Sequence, residues 1–179
     1  MAAQPTPLVR SRRVVLRDGG TVQLRHVQPR DAEDLLFFLQ GLSLGSVYRR
    51  FCSGGPNLSA VARGFAEAGP SRRGVVGVNG RGEVVAHAEY LLIGSGAAEV
   101  AVVVADAMHG RGLATRLIDY LAENARHEGL DRFVAVVLPT NHAMLTLFSR
   151  GFGAIIGDSD SMCRVEFDIS APLPERVAA

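Results

Sequence analysis

The chain has 179 residues, 47% of them apolar, which is enough for one compact domain with a sizeable core and too few for two. A formal charge of +1 excludes the basic balance of a typical nucleic-acid binder, and all 19 basic residues are arginines. Cys52 and Cys163 stand in no metal-ligand spacing, and no apolar run approaches the ~18 residues of a spanning helix. These features predict a cytoplasmic protein with free thiols, no metal and no membrane segment; Arg10, Arg12 and Arg13 precede no apolar leader core.

Residues 1–10, rich in Pro and Ala, read as a disordered tail, as does the end from 172 to 179, leaving 11–171 as one domain. Val14 to Leu16, then Asp18-Gly19-Gly20, then Thr21 to Val27 predict a β-hairpin, because Asp-Gly supplies the positive φ of a tight turn. Pro29-Arg30-Asp31 opens a helix whose stripe is Leu35, Leu36, Phe38 and Leu39 and which ends near Gly41. A second helical segment, Leu44 to Phe51, carries Tyr48, Arg49 and Arg50, a mixture that either faces a substrate or packs with a solvated edge. Leu58 to Ala68 is a third helix. Strands Gly74 to Val78 and Glu83 to Ile93 then flank the turn Asn79-Gly80-Arg81-Gly82.

Ala97 to Ala105 is a β-branched strand, and from Leu113 the apolar period becomes helical. Leu113, Leu117, Leu121 and Ala125 form one row, Ala114, Ile118 and Ala122 the next, and Gly129 a left-handed cap. Phe133 to Leu138 is fully apolar, which predicts burial on both faces. Pro139-Thr140-Asn141 leads into a last helix with Met144, Leu145, Leu147 and Phe148, ended by Gly151-Phe152-Gly153. Met162 to Ile169 alternates, with Cys163, Val165, Phe167 and Ile169 inward, and closes the sheet. This order predicts an α/β (α+β) domain, a mixed sheet flanked by helices.

Between strand and helix, His109-Gly110-Arg111-Gly112-Leu113-Ala114 sets two glycines at a helix N-terminus, where exposed N–H groups favour an anion. A Walker turn is excluded by the absence of lysine, and a Rossmann fingerprint needs a third glycine. An anion-binding turn remains, with Arg111 and Arg116 able to add charge-assisted contacts to phosphate.

Ala98 to Val104 followed by His109 to Thr115 resembles the acyl-CoA-binding core of the GNAT N-acetyltransferases, which carry Gln/Arg-x-x-Gly-x-Gly/Ala at this turn. Gly112 and Ala114 match, while His109 departs from the usual Gln or Arg. The resemblance covers most of the chain and implies a largely antiparallel, twisted sheet flanked by helices. It implies acetyl-CoA as cosubstrate, held by the backbones of Val102, Val103 and Val104 and by His109, Gly110, Arg111, Gly112, Leu113, Ala114 and Thr115, with Asn141 near the pantetheine arm. Leu42-Ser43-x-x-Ser46-x-Tyr48-x-Arg50-Phe51 and Leu138-Pro139-x-Asn141-x-x-Met144-Leu145 are most similar to bacterial protein-lysine acetyltransferases. The implied acceptor is then a lysine of a metabolic protein such as an acyl-CoA synthetase; a small amine, or acetyl-CoA sensing without catalysis, are the alternatives. Arg49, Arg50, Arg63, Arg72 and Arg73 suit an acidic partner. The length leaves no room for an appended sensory domain, no pattern sets an oligomeric state, and a lysine-free enzyme cannot acetylate its own side chains.

An attacking amine must lose a proton, and Glu99 is the best candidate base. It precedes the apolar run and shares a face with Ala101 and Val103, where partial burial would raise its pKa. Its position also resembles the catalytic glutamate of histone-type GNAT enzymes; the bland alternative is a strand-end carboxylate in a surface ion pair. Glu89 could hold a base or water, or face outward. His87 on the same face is either a structural group or a proton shuttle, and Tyr48 and Tyr90 could line an acceptor site, with Tyr90 pointing away from Glu89. Where many GNAT enzymes place a tyrosine as general acid, the matching residue is Phe148, which leaves water or another group to protonate the thiolate.

Overall fold

Residues 11–172, apart from 68, 95 and 160, are described by the structure, a computed structural model; the expected tails lie outside them, save for Pro172. Gly19, at φ +80°, turns the chain between β1 (Arg12–Val15) and β2 (Thr21–His26), the hairpin expected from Asp-Gly. A 3-10 turn at Pro29–Asp31 leads to α1 (Ala32–Gln40), followed by α2 (Leu44–Phe51) and α3 (Leu58–Ala66). The last two start where Ser43 Oγ accepts from Ser46 N–H and Asn57 Oδ1 accepts from Ala60 N–H. Strands β3 (Arg72–Val78), β4 (Val84–Gly94) and β5 (Ala97–Val104) form a meander. Helix α4 (Leu113–His127) then carries the chain to β6 (Arg132–Val137). Helix α5 (His142–Thr146) runs on as a π-helical stretch at Leu147–Gly151, and β7 (Ile155–Ser159) pairs with β8 (Met162–Asp168).

Among the described residues the strands make one eight-stranded sheet in the order β1-β2-β3-β4-β5-β6-β8-β7, antiparallel except for β5 beside β6. Strand β7 was not expected. Its segment offers only Ile155 and Ile156 before Gly157, and both stay exposed on an edge strand with one neighbour, so burial imposes no pattern on it.

The two sheet faces carry separate cores. On one, Leu35, Phe38 and Leu39 of α1 and Ala62 and Phe65 of α3 pack on Val76, Val84 and Val103. On the other, α4 lays Leu117, Ile118 and Leu121, all fully buried, over Ala88, Tyr90, Ala98, Val100 and Phe133. Each of those side chains contributes about 2 kcal/mol of burial. Gly129, at φ +81°, follows this helix as expected. The prediction that β6 is buried on both faces fails at Val136, which is 47% exposed. The α1–α3 layer ends at β5, and β6 has no β5 partner beyond Val134.

Candidate active site

The sheet parts where the one parallel pair stops. Pairing between β5 and β6 runs Ala97↔Arg132, Ala98↔Phe133 and Glu99↔Val134, and then ends, while β5 stays paired with β4 as far as Ala86↔Val104. Ala105 N–H donates to Val85 O at 2.9 Å, so alternation sends the N–H and C=O of Val103 to β4 and those of Val102 and Val104 into the gap. Polar backbone groups inside a sheet normally have a partner, so this gap is a place for a ligand that supplies one. His109 Nε2 lies 2.9 Å from Val104 O and takes part of that capacity.

At the mouth of the gap, Gly110 and Gly112 adopt φ +75° and +83°, and a side chain at Gly110 would meet open space. The N–H groups of Gly110, Arg111 and Gly112 meet no backbone carbonyl among the described residues. Those of Leu113, Ala114 and Thr115 are first-turn donors of α4, without partners in the helix, at the positive end of its dipole. His109 differs from the rest of the turn, because its N–H already donates to Asp106 O at 3.2 Å. Asn141 caps α5, its Oδ1 accepting from Met144 N–H at 3.4 Å. A cavity of about 860 Å³ runs from this turn along β5, and Val102, Val103, Val104, His109 to Thr115, Arg116 and Asn141 all line it. Val15 and Arg17 of the β1–β2 hairpin, Ser46 of α2 and Arg150 share the wall without having been expected there, because no local pattern brings such distant segments together; Arg49 and Arg50, from the segment read as either facing a substrate or packing, line it as well.

Helix α2 is fastened to the same loop. Asp106 accepts from Ser43 N–H at 3.0 Å and from the hydroxyls of Ser43 and Ser46, each at 2.8 Å. The backbone N–H of Ser43, with the two hydroxyls, outweighs desolvation and holds the Asp106 carboxyl at a pKa of about 2, against an ordinary 3.8. The carboxylate therefore stabilises the fold fully above about pH 4, and its contribution is lost as the pH falls through 2. Asp106→Ala should lower stability by about 1 kcal/mol near neutrality, a value limited by its exposure to water. In thermal unfolding curves the gap between the two proteins should be constant above pH 5 and close towards pH 2.

Beneath α2, Arg50 reaches Glu89 at 2.7 Å, with both side chains 12% exposed, and Arg72 Nε lies 3.4 Å from the other carboxylate oxygen. Glu89 is thus neither a free base nor an outward-facing group. Burial lowers the pKa of Arg50, opposed by the charge of Glu89. His87 is fully buried and stacks on Phe65 at 3.8 Å between ring centroids; burial first, then Arg50 and Arg72, push its pKa well below 6.5, so it is neutral at pH 7. Neither of its ring nitrogens has a hydrogen-bond partner among the described residues, and its stacking on Phe65 gives it a packing role.

Glu99 lies on β5 on the face of Ala101 and Val103, three residues before Val102. The partial burial expected of it is absent: the residue is exposed, because the helix layer ends before this strand end and its β4 neighbour Leu91 is itself 40% exposed. No ion pair reaches it among the described residues, and it stands off the cavity wall. Phe148 is 2% exposed, packed against Phe152 and Phe167 and away from the cavity. Tyr90 is in the opposite core from Glu89, as expected, and Tyr48 is exposed outside the cavity. Among the described residues no group of His, Cys, Asp and Glu could hold a metal ion, and no helix is long and apolar enough to cross a membrane.

A parted sheet with a glycine turn at its mouth defines an acyltransferase fold, and the chain belongs to the Acetyltransferase (GNAT) family, whose match spans residues 47–154. It is similar to Acetyltransferase Pat of Mycolicibacterium smegmatis, 33% identical over 87% of this chain and 46% of the relative. Among solved structures it is similar to the GNAT domain of S. lividans PAT, with TM-score 0.82 and 38% identity over 88% of this chain and 96% of that one. It is also similar to a cAMP-binding acyltransferase from Mycobacterium smegmatis, with TM-score 0.65 and 28% identity over 93% of this chain and 50% of that one. The chain spans about half the length of both mycobacterial relatives.

Proposed function

We propose that this chain transfers acetyl from acetyl-CoA to the ε-amine of lysine on metabolic proteins, acyl-CoA synthetases being the leading candidates. The observation that carries this reading is the convergence of the backbone of Val102 and Val104, left without a β6 partner, with the donor-rich turn Gly110 to Thr115 in one cavity. Pantetheine would complete the parted edge of β5, and the pyrophosphate would take the N–H groups at the start of α4. Donors fixed in advance polarise the thioester carbonyl without reorganising, and binding supplies the proximity that direct attack requires. No covalent intermediate on the protein is needed. Glu99 removes the amine proton through a water, and water returns a proton to the thiolate, since Phe148 has none to give.

The lysine acceptor rests on Leu42 to Phe51 and Leu138 to Leu145, which resemble the protein-lysine acetyltransferases and adjoin the cavity at Ser46, Arg50, Asn141 and Met144. The likeness to Acetyltransferase Pat supports the same reading. Incubating cell lysate with labelled acetyl-CoA and the purified chain should place label on lysines of a small set of proteins. Label confined to polyamines or amino acids would move the acceptor to small amines, and acetyl-CoA binding without any transfer would leave a sensing module.

A further inference from the structure

We propose that Arg17, at the tip of the β1–β2 hairpin, is a phosphate ligand for the coenzyme and part of the selection for CoA over its truncated forms. This rests on the reading of the cavity as an acyl-CoA site. Leu16, 5% exposed, anchors the hairpin in the core, and the next residue is tied to the turn by its backbone, Arg17 N–H donating to Arg111 O at 3.1 Å. The Arg17 side chain then lies across Gly112: its Nε is 3.6 Å from where a Cβ on that glycine would stand. Asp18, the next residue, pairs with Arg111 at 2.9 Å, while the Arg17 guanidinium meets no acceptor among the described residues.

An arginine without a counter-ion is therefore held beside the positive end of α4, on the wall of the same cavity as Arg111 and Arg116. Like charges so placed repel in the free protein, and an incoming phosphate removes that repulsion while offering the planar fork two acceptor oxygens. Asp18 has the complementary role of holding Arg111 in place and lowering the net charge of the patch. Two groups of CoA could be the partner, the pyrophosphate and the 3′-phosphate.

The test compares acetyl-CoA and acetyl-3′-dephospho-CoA by calorimetry, and S-acetylpantetheine by NMR titration, on wild type, Arg17→Ala and Arg17→Gln. The hairpin bond uses the backbone of Arg17 and survives in both variants, and the glutamine keeps most of the side-chain length. Both variants should raise the Kd for acetyl-CoA about tenfold, the loss of one charge-assisted contact, and leave S-acetylpantetheine binding unchanged. If the penalty vanishes with the dephospho ligand, Arg17 holds the 3′-phosphate; if it persists, Arg17 holds the pyrophosphate. A change below twofold with acetyl-CoA, or an equal loss with S-acetylpantetheine, overturns the assignment. No binding of acetyl-CoA by the wild type would instead remove the reading of the cavity itself.

Discussion

Exchanging Glu99 for glutamine should lower turnover by about 10²–10⁴-fold, the range expected when a positioned general base is removed. Acetyl-CoA affinity should stay within about twofold, because Glu99 stands off the cavity wall and its side chain makes none of the contacts assigned to the cosubstrate. Along β5, Glu99 stands three positions before Val102, about 10 Å of strand. A glutamate there reaches an amine lying over Ala101 and Val103, on its own face, through an intervening water rather than directly. Its exposure fits that arrangement, since water must enter the open end of the face to carry the proton away. Steady-state kcat and calorimetric Kd for the two proteins separate the effects. An unchanged kcat across the pH range would leave Glu99 with no part in the reaction.

The largest effect on stability should come from Glu89→Ala. The carboxylate lies between Arg50 and Arg72, and the Arg50 guanidinium is further enclosed by Phe51 and Phe65, at 5.1 and 5.3 Å from their ring centroids. Removing Glu89 leaves the Arg50 guanidinium without its counter-ion, between two aromatic rings and beside Arg72. Breaking a buried pair in this way costs about 3 kcal/mol, which for a chain of this length means a melting temperature lower by roughly 6–12 °C. Glu89→Gln, which keeps an acceptor oxygen, should lose less. Differential scanning calorimetry reads both; a melting temperature unchanged in the alanine variant would mean that Arg50 finds other partners.

Local chemistry made much of this architecture legible. Asp18-Gly19 announced the first hairpin, the Leu113-Leu117-Leu121 row announced α4, and the alternation from Cys163 to Phe167 announced the closing strand, because each is set by backbone conformation or burial on one face. The glycine turn was legible for the same reason, since both glycines occupy left-handed conformations. What escaped depends on distant neighbours. Alternation assigned Glu99 to a face but could not say that the helices stop short of it. The apolar run at Val136 looked like a buried strand because the parting of β6 from β5 is not written in β6. Arg17 reaches the turn only through the hairpin's place at the sheet edge, and nothing in the segment around Arg50 shows that Glu89 stands opposite it, at the cavity wall.

The parting of β5 from β6 also bears on how the molecule moves. Three residue pairs join β5 to β6 at this seam, fewer than join any other neighbouring strands, and the two halves of the sheet are otherwise held by α4 and by contacts such as Tyr90 on Phe133. A ligand that fills the seam replaces missing rungs of the ladder and stiffens both halves at once. Part of its intrinsic binding energy is then given up as lost motion, and an acceptor arriving second meets a frame whose ordering is already complete. Under the proposed function, the break in the sheet would favour coenzyme binding first and amine afterwards.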